Sequence, residues 1–464
     1  MPQFLCRIQS MLLEETGFSM SSYPVTQDDT TYDRTISSIL ETLRTLQESK
    51  GQYDGRDIDV TREPSEMSLA DMETVCRCLH CSRRGSFLLI HYDEPSLWGC
   101  RHIPEGMDRW MIYHGLMQEC RSCIVSLETL DYISLPYAKF RNLGEAPAYS
   151  LEAVAERMIR SETVEFSEKL DGSMIQMRYL GLNTLQDGLL VATSGSLNRA
   201  RSPQLDEALT YLASSGQAFT RIAMAYPDST FICEWISEKD RHIVTYGSEE
   251  FGLHLIGKRD VNTGQLSSYR DVLALAEQFH VPTTTLYAMD LKNCLDSLSR
   301  YQATEKEGYV LNLDGFLVKI KCRDFIERMR MIQRAGSFPV ILDHMVSETL
   351  DDYLSTLPEG MQKIVMNKAQ EILAYQEGMT QMIDLAAEIV PQKMNRAETM
   401  AWISEKITAA HHLRAFVITQ ILGHQPELLV QKRGKSVKYV KESEVKGFLQ
   451  DRETMMHELE VLKS

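Results

Sequence analysis

The stretch Lys169-Leu170-Asp171-Gly172-Ser173 decides how the rest of the chain is read. A primary amine is followed by an acid, then by glycine and serine, residue types that favour a tight turn. This K-x-D-G-S string suits a lysine that attacks the α-phosphate of a nucleotide, with the acid and the turn holding the amine in place. Such chemistry sets further requirements. The amine has to be partly neutral, which nearby positive charge or a metal ion favours. A triphosphate needs several cations to offset its charge and orient the leaving pyrophosphate. A carboxylate has to hold a divalent metal. The nucleoside needs a polar group for its ribose and a flat apolar slot for its base.

The chain supplies candidates for each requirement downstream. Glu234 is an acid inside the apolar run Phe231-Ile232-Cys233-Glu234-Trp235. Glu307 opens Glu307-Gly308-Tyr309-Val310, another isolated acid before an apolar run. Lys319-Ile320-Lys321 places two lysines on one face of a predicted strand, where they repel unless an anion lies between them. Trp235 is a candidate either for stacking on the base or for the core.

The order Lys-x-Asp-Gly-Ser, Glu in a strand, Glu-Gly, Lys-x-Lys resembles the covalent nucleotidyltransferase superfamily of ligases and capping enzymes. More narrowly it resembles the phage-encoded RNA ligase 1 family. Glu119-Cys120-Arg121 is similar to that family's E-C-R-G strand, and Leu135-Pro136-Tyr137-Ala138-Lys139-Phe140-Arg141-Asn142-Leu143 to its R-P-x-x-K-F-F-N-L segment. Arg241-His242-Ile243-Val244 resembles its N-R-I-V. His254 to Arg259, then Asn262-Thr263-Gly264, resemble its strand ending in Arg and its E-T-G turn.

The resemblance implies an ATP-dependent RNA ligase that joins RNA 5′-phosphate and 3′-hydroxyl ends, with a broken tRNA as the expected substrate in RNA repair. It implies that Lys169 forms a lysyl–AMP adduct. Arg121, Lys139, Lys319 and Lys321 would bind the triphosphate and later the RNA 5′-phosphate. Asp171 belongs to the nucleotide site, Glu234 would meet the ribose, and Glu307 would hold the metal, Mg2+ or Mn2+, or the hydration shell of the lysine. Gly172 and Gly308 would let the backbone approach the nucleotide closely. Departures are also evident. Ser194, in Thr193-Ser194-Gly195-Ser196, stands where the family carries a lysine, with Arg199 and Arg201 the nearest candidates to replace it. Arg141 stands for the second aromatic of K-F-F-N, and Phe325 for a tyrosine.

Around these motifs the 464-residue chain reads as an α+β protein. Residues 1–64 form a helical extension in which Ile36, Ile39, Leu40, Leu43 and Leu46 mark one amphipathic docking helix. Residues 65–330 form an adenylyltransferase domain with antiparallel sheets. Its predicted strands are Phe87–Ile90, Ser122–Val125, Gly188–Ala192, Thr230–Cys233 and Leu317–Lys321. Residues 331–464 form an all-α RNA-specificity domain, with helices over Pro339–Leu354, Met361–Ile389 and Arg396–Leu422. In the second of these, Ile364, Val365, Lys368, Ile372, Tyr375 and Met379 trace one face. The basic run Gln431–Lys446 reads as a solvated face.

Hydrophobic residues make up 43% and charged residues 25%, as in ordinary soluble proteins. A net charge of −16 argues against a general nucleic-acid coat but leaves room for a local basic cleft. No apolar run reaches the ~18 residues of a membrane span. A cytoplasmic monomer that does not bind membranes is expected. The Cys78/Cys81 and Cys120/Cys123 pairs read as buried free thiols rather than zinc ligands, the first on a helix over Met72–Cys81 and the second facing both ways from a strand. His411-His412 reads as packing or surface. Two alternatives stand beside the ligase. A DNA ligase or mRNA guanylyltransferase shares the lysine motif, but normally continues into a small β-barrel rather than helices. A degenerate nucleotide- or RNA-binding module is motivated by Ser194.

Overall fold

The computed structural model describes residues 1–22, 35–53, 63–76, 79–92, 119–240, 242–355, 357, 359–391, 394–406, 414–421, 428–433 and 436–463. Cys78, Arg241, His411, His412, Pro426 and Lys435 lie outside the described residues. The chain divides into two compact units, Met1–Ile326 and Glu327–Ser464.

The first unit holds three sheets. The first sheet has the order β1-β2-β3-β4, from β1 (Leu79–Arg84), β2 (Phe87–Tyr92), β3 (Arg121–Ser126) and β4 (Tyr132–Ser134). Three helices share its core: α1 (Pro2–Thr16), α2 (Thr35–Ser49) and α3 (Leu69–Cys76). Phe4, Ile8, Leu12, Ile39 and Leu43 pack with Val75, Leu88, Ile90 and Val125. Residues 1–64 thus complete a core rather than append to one, and α1 is a second helix beyond the one its periodicity predicts. The predicted helix over Met72–Cys81 stops at Cys76, and Cys81 lies on β1.

The predicted strand at Ser122–Val125 forms, but with a bulge. Ser122 has φ of +75° and the register slips between Ile90 and His91. The extra residue breaks the alternation of faces. Cys120 and Cys123 therefore share one core and hydrogen-bond to each other, instead of pointing apart. Cys81, Cys120 and Cys123 are buried free thiols.

The second sheet has the order β10-β9-β7-β8, built from β7 (Ser173–Tyr179), β8 (Leu189–Thr193), β9 (Ser229–Ile236) and β10 (Gly252–Asp260). The third has the order β11-β6-β12-β13-β5, built from β5 (Arg141–Asn142), β6 (Val164–Lys169), β11 (Leu286–Tyr287), β12 (Gly308–Leu313) and β13 (Phe316–Lys321). Every pair in both is antiparallel except β13 with β5. On β9, strand alternation sends Phe231, Cys233 and Trp235 to one face. There they pack with Leu205, Leu209, Phe219, Ile222 and Val272 from the helices Pro203–Ser214, Gln217–Ala225 and Tyr269–Phe279. Ser202 and Ser268 cap two of these helices through their hydroxyls. The opposite face carries Ile232, which packs with Tyr137, Phe140, Tyr269, Val310 and Leu317.

The second unit is helical, as expected, with one addition. The long helix Glu359–Ile389 buries Val365, Ile372, Tyr375, Met379 and Ile383 against Ile341, Val417, Phe448 and Met455. Ile364, assigned to that face from the sequence, is instead exposed at its edge. The predicted helix Pro339–Leu354 divides into Phe338–Val346 and Leu350–Ser355, with Glu348 between them at φ +57°. Within the basic run the backbone forms a hairpin, β14 (Val430–Arg433) with β15 (Ser436–Tyr439), followed by the helix Glu442–Lys463. Among the described residues no helix is long and apolar enough to cross a membrane.

Candidate active site

The K-x-D-G-S string is the crossing between two sheets. Lys169 is the last residue of β6 in the third sheet, and Ser173 the first of β7 in the second. The intervening turn is pinned on both sides. Asp171 Oδ2 accepts hydrogen bonds from the backbone N–H of Ile243 (2.8 Å) and Val244 (2.9 Å), and its own N–H donates to Tyr246 Oη. Gly172 N–H donates to Glu234 Oε1 at 3.0 Å. A Cβ on Gly172 would lie 2.3 Å from the Trp235 carbonyl oxygen, so no other residue fits there without a shift. Asp171 is thus placed as the anchor of the turn.

Register brings the remaining motifs to the same place. Gly308 of β12 pairs with Lys169 on one side and Lys321 on the other. Its φ is +151°, and a Cβ would lie 2.2 Å from the Ile320 carbonyl oxygen, so the position demands glycine. Glu307, just before it, is 3% exposed and is shared by two lysines. Its Oε2 accepts from Lys169 Nζ at 2.7 Å, and its Oε1 from Lys321 Nζ at 2.8 Å. Burial works against ionisation of Glu307, but Lys169 and Lys321 outweigh it and hold the carboxyl below its ordinary value. For Lys169 burial favours the neutral amine, but Glu307, Glu234 and Asp171 outweigh it and hold the group above its ordinary value. The amine at rest is therefore a protonated partner of Glu307, the opposite of the neutral nucleophile the chemistry needs.

Lys169, Gly172, Glu234 and Lys321 line a cavity of about 540 Å³ between the second and third sheets. Lys319 reaches into it from β13, two residues before Lys321 and on the same face. It lies over the Phe140 ring, 4.6 Å from the centroid. Burial first, then the charges of Arg121, Lys169, Lys139 and Lys321, push Lys319 down to about 6. Arg121, at the start of β3, lies 5.1 Å from the same ring, and its buried Nη1 has no hydrogen-bond partner among the described residues. A buried cationic donor without a partner is costly, and an anion in the cavity would satisfy it. Arg259 sets the start of β3 by holding Glu119 with two hydrogen bonds of 2.9 and 3.0 Å. On the other wall Glu234 is pushed up to about 7, chiefly by burial, against the pull of Lys169.

The structure brings together Lys169, Gly172, Glu234, Lys319, Lys321 and Arg121 around this cavity, while Glu307 does not line it but is bonded to Lys169 and Lys321, which do. Lys139 does not line it; it lies over the Tyr92 ring and faces a second cavity beyond Phe140. Ser194 lines the main cavity, and its carbonyl oxygen accepts from Ser122 Oγ. Arg199 is held by Asp206 and Thr210 on the helix Pro203–Ser214, so it does not fill the place of the missing lysine. Trp235 belongs to the core, where its Nε1 donates to Glu207. Phe325 lies under Lys321, 5.2 Å from Nζ to the ring centroid. The sequence reading missed Tyr246 and the pair Asp240–His242. His242 lines the cavity, and its hydrogen bond to Asp240 raises it above the ordinary histidine value. Their signal was faint, since they lie in a segment without strand or helix periodicity.

A divalent metal fits Glu307 by its chemistry, as a buried carboxylate held ionised is a hard oxygen donor. Among the described residues no group of three or more His, Cys, Asp or Glu converges on one point. A metal here would draw most of its ligands from substrate phosphates and water, as magnesium commonly does.

Residues 119–325 match the T4-type RNA ligase 1 family model, described as RNA ligase, and that segment holds every cavity residue named above. The resemblance drawn from the motifs is borne out for this segment. Residues 1–118 and 326–464 lie outside the match. Similar solved structures include two forms of an archaeal ATP-dependent RNA ligase. Form 1 is 14% identical with a TM-score of 0.39, covering 64% of this chain and 74% of that one. Form 2 is 12% identical with a TM-score of 0.39, covering 82% and 96%. The Naegleria gruberi RNA ligase with pyrophosphate is 12% identical with a TM-score of 0.30, covering 55% and 94%. Likeness at these levels is slight. No curated protein sequence matches the chain.

Proposed function

We propose that the chain is an ATP-dependent RNA ligase that works through a lysyl–AMP intermediate on Lys169. One observation carries the reading. The Lys169 amine is fixed at a turn between two sheets, beside Lys319 and beside Arg121, whose buried Nη1 has no hydrogen-bond partner among the described residues. In the proposed reaction the amine attacks the α-phosphate of ATP, a P–N bond forms, and the bond to pyrophosphate breaks. Its departing proton is already hydrogen-bonded to Glu307 Oε2. Lys319, Lys321 and Arg121 orient the leaving pyrophosphate. A bound Mg2+ or Mn2+, which Glu307 would hold, supplies further charge neutralisation for the phosphates. AMP then passes to an RNA 5′-phosphate, and a 3′-hydroxyl attacks and releases AMP. A nicked tRNA is the substrate proposed for the repair role, with Glu327–Ser464 selecting it.

The test is incubation with ATP labelled at the α-phosphate plus magnesium, followed by a denaturing gel. A wild-type band that is absent in Lys169→Ala is expected, since no other side chain supplies an amine there. Label retained in that variant overturns the proposal. A panel of nicked and single-stranded RNA and DNA then checks the polynucleotide, with sealing of RNA expected.

A further inference from the structure

Beside the reactive pair stands a second Lys–Glu pair of reversed polarity. Lys169 and Glu307 join β6 to the segment leading into β12. Their chain neighbours, Glu168 and Lys306, join the same two segments again. Strand alternation turns Glu168 to the face opposite Lys169. There Lys306 Nζ lies 2.8 Å from Glu168 Oε1 and donates to Tyr287 Oη at 3.0 Å. The Tyr287 hydroxyl donates to Glu168 Oε2 at 2.9 Å, closing a triangle. Lys306 is only 5% exposed and sits among the rings of Tyr287, Tyr301 and Tyr309, at 4.7, 5.2 and 4.7 Å from their centroids. Lys306 is the buried partner of this pair and Glu168 the partly exposed one; Glu168 also lines the cavity, but its carboxylate is engaged by Lys306 and Tyr287.

The two pairs face different demands. If Lys169 is the nucleophile, its bond to Glu307 has to be given up each time the amine attacks. At that moment no side-chain contact between Lys169 and Glu307 remains, and only the backbone pairing of Lys169 with Gly308 ties the two together on that face. We propose that Glu168, Lys306 and Tyr287 form a clasp that holds Lys169 and Glu307 in register while the reactive pair is broken. These are positioning residues for the adenylylation step, and the proposal rests on the function proposed above. The arrangement separates two tasks that one ion pair cannot perform together. The inner pair exchanges its proton and partner, and the outer pair keeps the geometry. Gly308 limits the alternative of drift, because the backbone there is already closed against Ile320 and Lys321. Loss of the clasp would therefore tilt Glu307 and Lys169 away from each other along their own segments.

The test compares two reactions in Lys306→Met, Glu168→Gln and the double variant. One is the rate of label transfer from ATP to Lys169. The other is sealing of RNA that already carries a 5′-adenylate, which does not use Lys169 as a nucleophile. Each single variant is expected to slow labelling about 100-fold, the scale of a misplacement of roughly 1 Å, with the KM for ATP changed by less than about threefold. The double variant is expected to be no slower than either single one, because the residues act as one unit. Sealing of adenylylated RNA is expected to stay near the wild-type rate. Equal loss of both reactions, following the folded fraction, would mean that the clasp only supports the fold. Unchanged labelling in Lys306→Met would overturn the proposal alone. A wild type that takes no label on Lys169 would overturn the function reading and this proposal together. Should Lys306→Met not fold, Tyr287→Phe opens one side of the triangle with the ring retained. About tenfold slower labelling is then expected, and an unchanged rate counts against the clasp.

Discussion

The second sheet lends the cleft an acid, Glu234, pushed up to about 7, whereas the third lends it a lysine, Lys319, pushed down to about 6. Both have moved toward neutrality, for the same first reason, burial. Among the described residues neither forms an ion pair within 4 Å. Glu307 stands in contrast: it is more deeply buried, yet two lysines keep it ionised. Lys169, Glu307 and Lys321 are paired with one another at rest, whereas Lys319 and Arg121 Nη1 have no such partner among the described residues. A site that waits for a polyanion is expected to be divided in this way.

The largest expected effect tests the satisfied part. Glu307→Ala removes the partner of two buried lysines and should lower the rate of Lys169 labelling by about 10²–10³-fold or more. Lys321→Ala should follow it closely. Near-normal labelling in either would show that the pair is structural only. Next in size is the crossing turn. Gly172→Ala forces a Cβ against the Trp235 carbonyl, and a loss of about 1–3 kcal/mol is expected by thermal or urea unfolding. An unchanged midpoint would mean that the turn relaxes freely.

The unsatisfied part gives smaller, pH-dependent effects. An anion restores charge to Lys319, so binding pyrophosphate at a pH well above 6 takes up a proton. Affinity should then weaken as pH rises above about 6, by up to roughly tenfold per unit. Calorimetry in buffers of different ionisation heat should read about one proton taken up in the wild type and less in Lys319→Met. Smallest is Glu234. Its folded value lies above its ordinary 4.5, so its contribution to stability is present below that value and is lost as pH rises through about 7. In Glu234→Gln the unfolding midpoint should fall less steeply than in the wild type between those limits. Parallel curves would place the carboxyl in water.

How much of this was legible depends on what each residue needed from its neighbours. The ordered motifs named the cavity before any fold was available, because lysines, acids and glycines of this kind are poor choices for strands unless chemistry requires them. The strands on either side of the K-x-D-G-S turn, β6 and β7, were not legible. Val164–Lys169 and Ser173–Tyr179 mix Glu, Ser, Gln and Met, and their pairing with β12 and β9 supplies what propensity lacks. The Ser122 bulge could not be read either, since a slip of one residue leaves no mark in composition. Trp235 was ambiguous until the alternation of β9 fixed it on the helix side. The hydrogen-bond partners of Asp171 could not be read for a similar reason. Its spacing from Lys169 is local, but its partners Ile243 and Val244 lie far along the chain.

The crossing turn has one more consequence. Lys169 ends one sheet and Ser173 begins the next, so the two walls of the cleft are stitched together at the reacting atom by a thread of three residues. A hinge placed there would move the nucleophile with every opening. The turn at Lys169 therefore belongs to both walls of the cleft at once, and a change in the angle between the two sheets would be felt first at that residue.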